Sequence, residues 1–205
     1  MTSDPTTGTP TTDASTTDGP ATGTAADVPG SAAEPTGERA DLLETLRGHR
    51  HFLRFTVRGL TDEQARLRTT ASELTLGGLI KHVTHTERNW VAFAQHGTHA
   101  LAGTPESGSF QDGVEAYLEG FRLGEGETLQ GVLDAYEQVA AATDELVATA
   151  PDLDVSHPLP QAPWFPPGAR WSIRRVLLHI IAETSQHAGH ADIIRESLDG
   201  QKTMG

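Results

Sequence analysis

The chain has 205 residues, with 15 basic against 28 acidic side chains, a net charge of −13 at neutral pH and no cysteine. That composition excludes disulfides, thiolate metal sites and a cysteine nucleophile, and a surface of this sign repels nucleic-acid phosphates and anionic lipid. No stretch approaches the roughly 20 apolar residues of a membrane span, so the expectation is a soluble, cytoplasmic protein with no nucleic-acid and no membrane partner.

Residues 1–37 are mostly Thr, Ser, Pro, Gly and Ala, with no Lys or Arg, and they carry five of the acids (Asp4, Asp13, Asp18, Asp27, Glu34), leaving −8 for the remainder. So few large apolar side chains cannot offset the entropy of ordering. A secretory signal would need a basic start and an apolar run of about 7 to 15 residues, and neither is there. The expectation is a disordered low-complexity tail over 1–37 and one domain over 38–205.

Within the domain, Leu42, Leu43, Leu46, Phe52, Leu53 and Phe55 recur at helical spacing over 38–59, and Gly59 with Leu60-Thr61-Asp62 reads as a stop. A second helix is expected over 75–95, with Thr75 as N-cap and Gly97 just beyond its end. The connection that follows, of about 30 residues, is too long for a hairpin between antiparallel neighbours, and its stretch 114–118 is itself compatible with helix. The third helix starts near Thr128, with Gly131 a weak point, and ends before Pro151. Residues 151–170 carry six prolines and no helical period, so they are expected to lie over one end of a bundle and to cover a site. The fourth helix opens at Ser172 and runs to Leu198. The fold class is therefore all-α, a four-helix bundle with long loops over one end.

The fourth helix is the most informative. At about 100° per residue, Ile173, Val176, Ile180, Ala191, Ile194 and Leu198 fall within an arc of about 60° that must face the core. Glu183 follows Val176 by seven residues and His187 follows Ile180 by seven, so both occupy positions where the pattern asks for Leu or Ile. A buried carboxylate must be paired, protonated or coordinating, and a divalent cation satisfies both residues, since i, i+4 spacing brings them to one face. On the second helix His82 borders the apolar flank, whereas His85 lies opposite, with Lys81 and Arg88. His82 is therefore the better third ligand. Glu87 falls near the middle of the apolar stripe, and accepting the other ring N–H of a ligand histidine would account for it. A lone inward histidine is more often a hydrogen-bonded core residue than a ligand, but a glutamate at i−4 and a second histidine on another helix shift that balance. His179 and His190 border the same stripe as alternative ligands, partners of the ligands or merely packed polar residues.

The stretch from Leu74 to His82, with Glu87 and Trp90 beyond it, and the stretch from Trp171 through Glu183 and His187 to Asp192 resemble the DinB/YfiT-like superfamily. Within it the resemblance is strongest to the actinobacterial branch described as mycothiol-dependent S-transferases, and it covers the domain from Glu38 to Gly200. The resemblance implies a bundle with a metal near one end, bound by one histidine of the second helix and two residues one turn apart on the fourth: His82, Glu183 and His187. Many members use three histidines, and Glu183 stands where the middle one would be, as it also does in the related mycothiol-dependent maleylpyruvate isomerase.

Two imidazoles and one carboxylate leave an open position, as in catalytic rather than structural zinc sites. Zinc is the first expectation for the metal, with nickel or iron as alternatives. The resulting reading is a metal-dependent transferase that activates a low-molecular-weight thiol, mycothiol by the resemblance, for conjugation to an electrophile in detoxification or stress response. Arg195 and the loop tryptophans are candidates for holding substrate. Metal-assisted hydrolysis and a non-catalytic metal-binding bundle, monomeric or a homodimer, are the competing readings.

Overall fold

The computed structural model describes residues 35–101 and 118–203. Nearly all of the expected tail, and residues 114–117 of the expected extra helical stretch, lie outside the described residues. Four long helices make the frame: α1 (Glu38–Phe55), α3 (Leu76–His96), α4 (Leu129–Thr149) and α5 (Ile173–Asp199). A one-turn α2 (Asp62–Arg66) and a 3-10 turn (Gly97–Leu101) complete the helical elements. The helix starts follow their caps. The hydroxyls of Thr75, Thr128 and Ser172 accept from the backbone N–H of Gly78 (3.2 Å), Gly131 (3.1 Å) and Arg175 (3.1 Å). At the far end of α5, Gly200 takes the left-handed conformation that closes a helix (φ 79°).

Two expectations for the first connection need correction. Helix α1 stops at Phe55 rather than running to Gly59. The stretch around Thr61-Asp62 is also more than a stop, because Thr61 and Gln64 form a reciprocal capping box that starts α2.

Each long helix contributes to two buried apolar clusters. One gathers Leu46, Phe93, Val147 and Ile180, the other Leu53, Ile80, Tyr136 and Ile194. Following the chain from cluster to cluster gives the topology: α1 and α5 run one way, α3 and α4 the other. The main packing partners are α3 with α4, α1 with α5 and α3 with α5. Because α3 and α4 are parallel neighbours, the chain must travel back along a helix of about 30 Å before α4 can begin. That is why the connection between them is long. Residues 151–170 do include a short antiparallel ribbon, which the absence of any period did not suggest: β1 (Ser156–Pro158) pairs with β2 (Arg170–Ser172), with His157 opposite Trp171. It adjoins the first cluster, where Leu159 and Trp171 pack.

A buried polar layer separates the two clusters. Each helix supplies one member: Arg50 (4% exposed), Glu87 (1%), Thr143 (0%) and Thr184 (1%). The Arg50 guanidinium donates to Glu87 Oε1 and, at 2.7 Å, to Asp144 Oδ1. The Thr143 hydroxyl also donates to Glu87 Oε1. Burial opposes the charge on Arg50, but Glu87 and Asp144 outweigh it and hold the guanidinium above its ordinary pKa.

Removing one partner of such a pair strands the other charge in the core. Arg50→Leu is expected to cost about 3–5 kcal/mol of stability, whereas Arg50→Leu combined with Glu87→Leu should recover most of that loss. Urea denaturation of the two single variants and the double variant closes the cycle. Simple additivity of the two single losses would show that the pair does not act as a unit.

Candidate metal centre

Helix α3 carries His82 and helix α5 carries Glu183 and His187, at the level where the two apolar clusters meet. The three side chains each offer one ligand atom, all within 4.8 Å of one another. Glu183 Oε2 is central, 4.0 Å from His82 Nε2 and 3.5 Å from His187 Nε2. Ligands about 2.0–2.2 Å from a tetrahedral ion are themselves roughly 3.3–3.6 Å apart, so small side-chain rotations bring the trio onto one ion. The residues fit a divalent cation. They are the trio that periodicity and resemblance single out, and no other group of this kind stands out among the described residues.

The protonation states suit the same purpose. Burial, reinforced by the nearby His187, pushes the pKa of His82 down to about 4 against the opposing pull of Glu183, so His82 is neutral at pH 7. The hydrogen bond from His187 holds the Glu183 carboxyl below its ordinary value; burial opposes this, while His179, His187 and His82 add to it. His82 therefore presents a neutral imidazole and Glu183 an ionised carboxylate, the states in which each binds a cation.

Around the trio, His190 Nδ1 lies 3.4 Å from His187 Nδ1, which leaves the opposite nitrogen of His187 turned to Glu183. His179 Nε2 is 3.8 Å from Glu183 Oε1, and burial lowers its pKa. The Thr86 hydroxyl is 3.5 Å from His82 Nε2. The edge of His179 also meets the faces of Trp90 and Trp171, which stack on each other with ring centres 4.5 Å apart. Through Trp171 the proline-rich segment reaches His179. The element that lies over His82 is different: Phe121, in the connection before α4, stacks on the His82 ring at 3.8 Å with the planes 17° apart.

Three residues fall elsewhere. Glu87 accepts from Arg50 and Thr143 rather than from a ligand histidine, because periodicity shows which way a side chain points but not what stands opposite. Arg195 is buried, and its guanidinium donates to the carbonyls of Thr56 (2.8 Å) and Arg58 (3.0 Å) and to Asp199 (2.9 Å). It ties the end of α1 to α5 and has no donors to spare for substrate. His85 lines a separate groove with Lys81, Arg88 and Glu127. Phe121 escaped the sequence reading because its segment has no period. The available signal was the Gly77-Gly78 pair inside α3, since helix glycines often mark a close backbone approach.

Comparison with known proteins places this geometry. A search of curated proteins found no match. Among solved structures, a conserved protein from Enterococcus faecalis superposes with a TM-score of 0.59 at 13% identity, covering 82% of this chain and 100% of that one. At that identity the likeness establishes the fold alone, a helical bundle. The family model for mycothiol-S-transferase matches residues 41–200, which span all four long helices and the His82, Glu183 and His187 trio, and the chain belongs to that family.

Proposed function

We propose that this protein is a metal-dependent transferase that joins mycothiol to an electrophile. The carrying observation is that, in a chain of the mycothiol-S-transferase family, two imidazoles and one carboxylate converge within 4.8 Å. His82, Glu183 and His187 would hold the cation. A cation there would supply a Lewis acid that lowers the pKa of a coordinating thiol towards neutrality. The donor set suits zinc, with nickel or iron also accommodated.

The chain's own groups account for the rest. Glu183 would provide the single negative charge that retains the cation, while His190 Nδ1 lies against the far nitrogen of His187. His179 is neutral at pH 7 and lies beside Glu183, so it is suited to take the proton that the thiol loses. The thiol sulfur then forms a bond to the electrophilic carbon, and the electron pair of the bond that breaks leaves with the departing group or is protonated from water. Stacked Trp90 and Trp171 form an apolar wall next to His179 and exclude water from that side. Because the chain has no cysteine, no thiol of its own competes for the electrophile. The reaction requires a reduced thiol pool, which places it in the cytoplasm, in detoxification or stress response.

Two measurements test this. Metal content and competition titrations should show one divalent ion per chain, with affinity falling about 100-fold or more in His187→Ala and in Glu183→Ala; equally tight, stoichiometric metal in His187→Ala would remove it from the ligand set. Mycothiol and a generic electrophile should give conjugate that disappears with chelator and returns on adding zinc. Ester hydrolysis without any thiol would point instead to an activated water, and no turnover with any thiol to a non-catalytic metal protein.

A further inference from the structure

The crossover that returns to α4 passes over the first turn of α3, and the fit there is tight. A Cβ built on Gly78 would stand 1.8 Å from the carbonyl oxygen of Phe121 and 2.5 Å from its carbonyl carbon. Such separations never occur between real atoms, and the obstacle is backbone rather than a flexible side-chain end. On Gly77 a Cβ would be 3.0 Å from Leu123 and 3.2 Å from the carbonyl oxygen of Ala65. The glycine pair is thus the seat on which the crossover rests.

Polar contacts hold the segment there. Lys81 Nζ donates to Arg122 O at 3.2 Å and pairs with Glu127 Oε2 at 2.8 Å. Glu127 Oε2 in turn accepts from Gly124 N at 2.7 Å. From the α2 side, Arg66 Nη2 donates to Gly124 O at 3.1 Å. Leu123 is buried beneath the segment.

Gly78 precedes His82 by four residues, so the two lie one above the other on the same helix face. A residue whose carbonyl rests on Gly78 has its side chain within reach of position 82, and the Phe121 ring does lie flat on the His82 imidazole. The same ring approaches His187 edge-on, with centres 6.1 Å apart. The geometry points to Phe121 as a positioning residue: held by the Gly78 seat, it fixes the plane of the His82 imidazole so that Nε2 faces Glu183 and His187. A His82 ring free to turn about its two torsions would lose the entropy of that freedom on binding, and the stacked phenyl removes that loss in advance, as partners behind metal ligands do. This rests on the proposal that the trio holds a cation.

The test uses the full chain without any thiol. Four variants are compared: Phe121→Leu, which stays apolar but cannot stack; Phe121→Tyr, which can; Gly78→Ala, which displaces the Phe121 carbonyl; and Lys81→Met, which loosens the segment away from the rings and should weaken zinc binding in the same direction. Far-UV circular dichroism first establishes that each folds. In metal-free protein, the ring protons of His82 should resonate upfield in the parent and in Phe121→Tyr, from the ring current of the stacked phenyl, and move back to ordinary positions in Phe121→Leu. Zinc competition should give affinities roughly tenfold weaker for Phe121→Leu and Gly78→Ala, with Phe121→Tyr restored to the parent value. Cobalt(II) should show an altered visible spectrum in Phe121→Leu only if the His82 ligand has reoriented. Parent-like zinc affinity and cobalt spectrum in Phe121→Leu would overturn the assignment, and so would a Phe121→Tyr as weak as Phe121→Leu. If the parent itself binds no metal, the trio proposal fails on its own. The ring signals then decide the stacking, and His82 signals unmoved by Phe121→Leu would sink it. Should Gly78→Ala not fold, Phe121→Leu and Lys81→Met still read the same contact.

Discussion

The Arg50 and Glu87 pair is the constraint around which this bundle is organised. Both side chains are buried between two apolar clusters, and each would be costly alone. A buried ion pair is a weak source of net stability, because desolvation offsets most of the attraction. Its effect here is on register. If α3 slid by one turn along α1, Glu87 would face Leu46 or Leu53 instead of a guanidinium, and Thr143 would lose its acceptor. The apolar residues alone would tolerate such a slip far better, since leucine against leucine looks much the same one turn along. The pair therefore specifies where α3 sits relative to α1 and α4, and His82 is carried on α3 five positions before Glu87. On α5, Thr184 is buried next to Glu183 in sequence. The polar layer and the candidate metal centre are neighbouring parts of one arrangement, in which the first sets the helix positions that the second needs.

The parallel run of α3 and α4 has a consequence of its own. An up-down-up-down bundle could join these helices by a short turn, leaving the start of α3 bare. A parallel pair requires a crossover, and the crossover delivers Phe121 to His82. Residues 151–170 do something different. They join antiparallel α4 and α5 over the opposite cluster, and reach the candidate centre only through Trp171 and His179. Of the two long loops, the one before α4 lies against His82, and the proline-rich one adjoins His179 through Trp171.

How much of this could be read from the residues follows from what kind of signal each feature leaves. The helix starts were legible because a cap is local: Thr75, Thr128 and Ser172 each satisfy a backbone N–H three residues on, and the chain carries that information within one turn. Glu183 and His187 were legible because two polar residues interrupt a regular apolar stripe, and His82 could be preferred to His85 on the same ground. Partners were not. Glu87 sits 37 residues from Arg50, and nothing in the local pattern of α3 says that an arginine of α1 stands opposite. Arg195 likewise looked free in sequence and is occupied by carbonyls at the end of α1. The ribbon of three-residue strands is too short for an alternating pattern to emerge, and α2 is a single turn whose capping box was present in Thr61 and Gln64 but easily taken for a loop.

If the trio holds a divalent cation, as proposed, a carboxylate at position 183 in place of a third imidazole has a physical meaning. Three neutral imidazoles would leave the whole double charge of a divalent cation in a partly buried groove, to be balanced by whatever anion arrives. Glu183 instead supplies a full negative charge from within, and its ionisation is already favoured by His187, His179 and His82 around it. One positive charge would then remain, enough to favour a singly charged ligand over a neutral one while lowering the desolvation cost of keeping the cation. The same substitution weakens the pull on electrons of any group that coordinates there. As a ligand, Glu183 would exchange some Lewis acidity for firmer retention of the cation, a balance that would suit a thiol, which needs only a modest fall in pKa to ionise at neutral pH, better than water, which needs a large one.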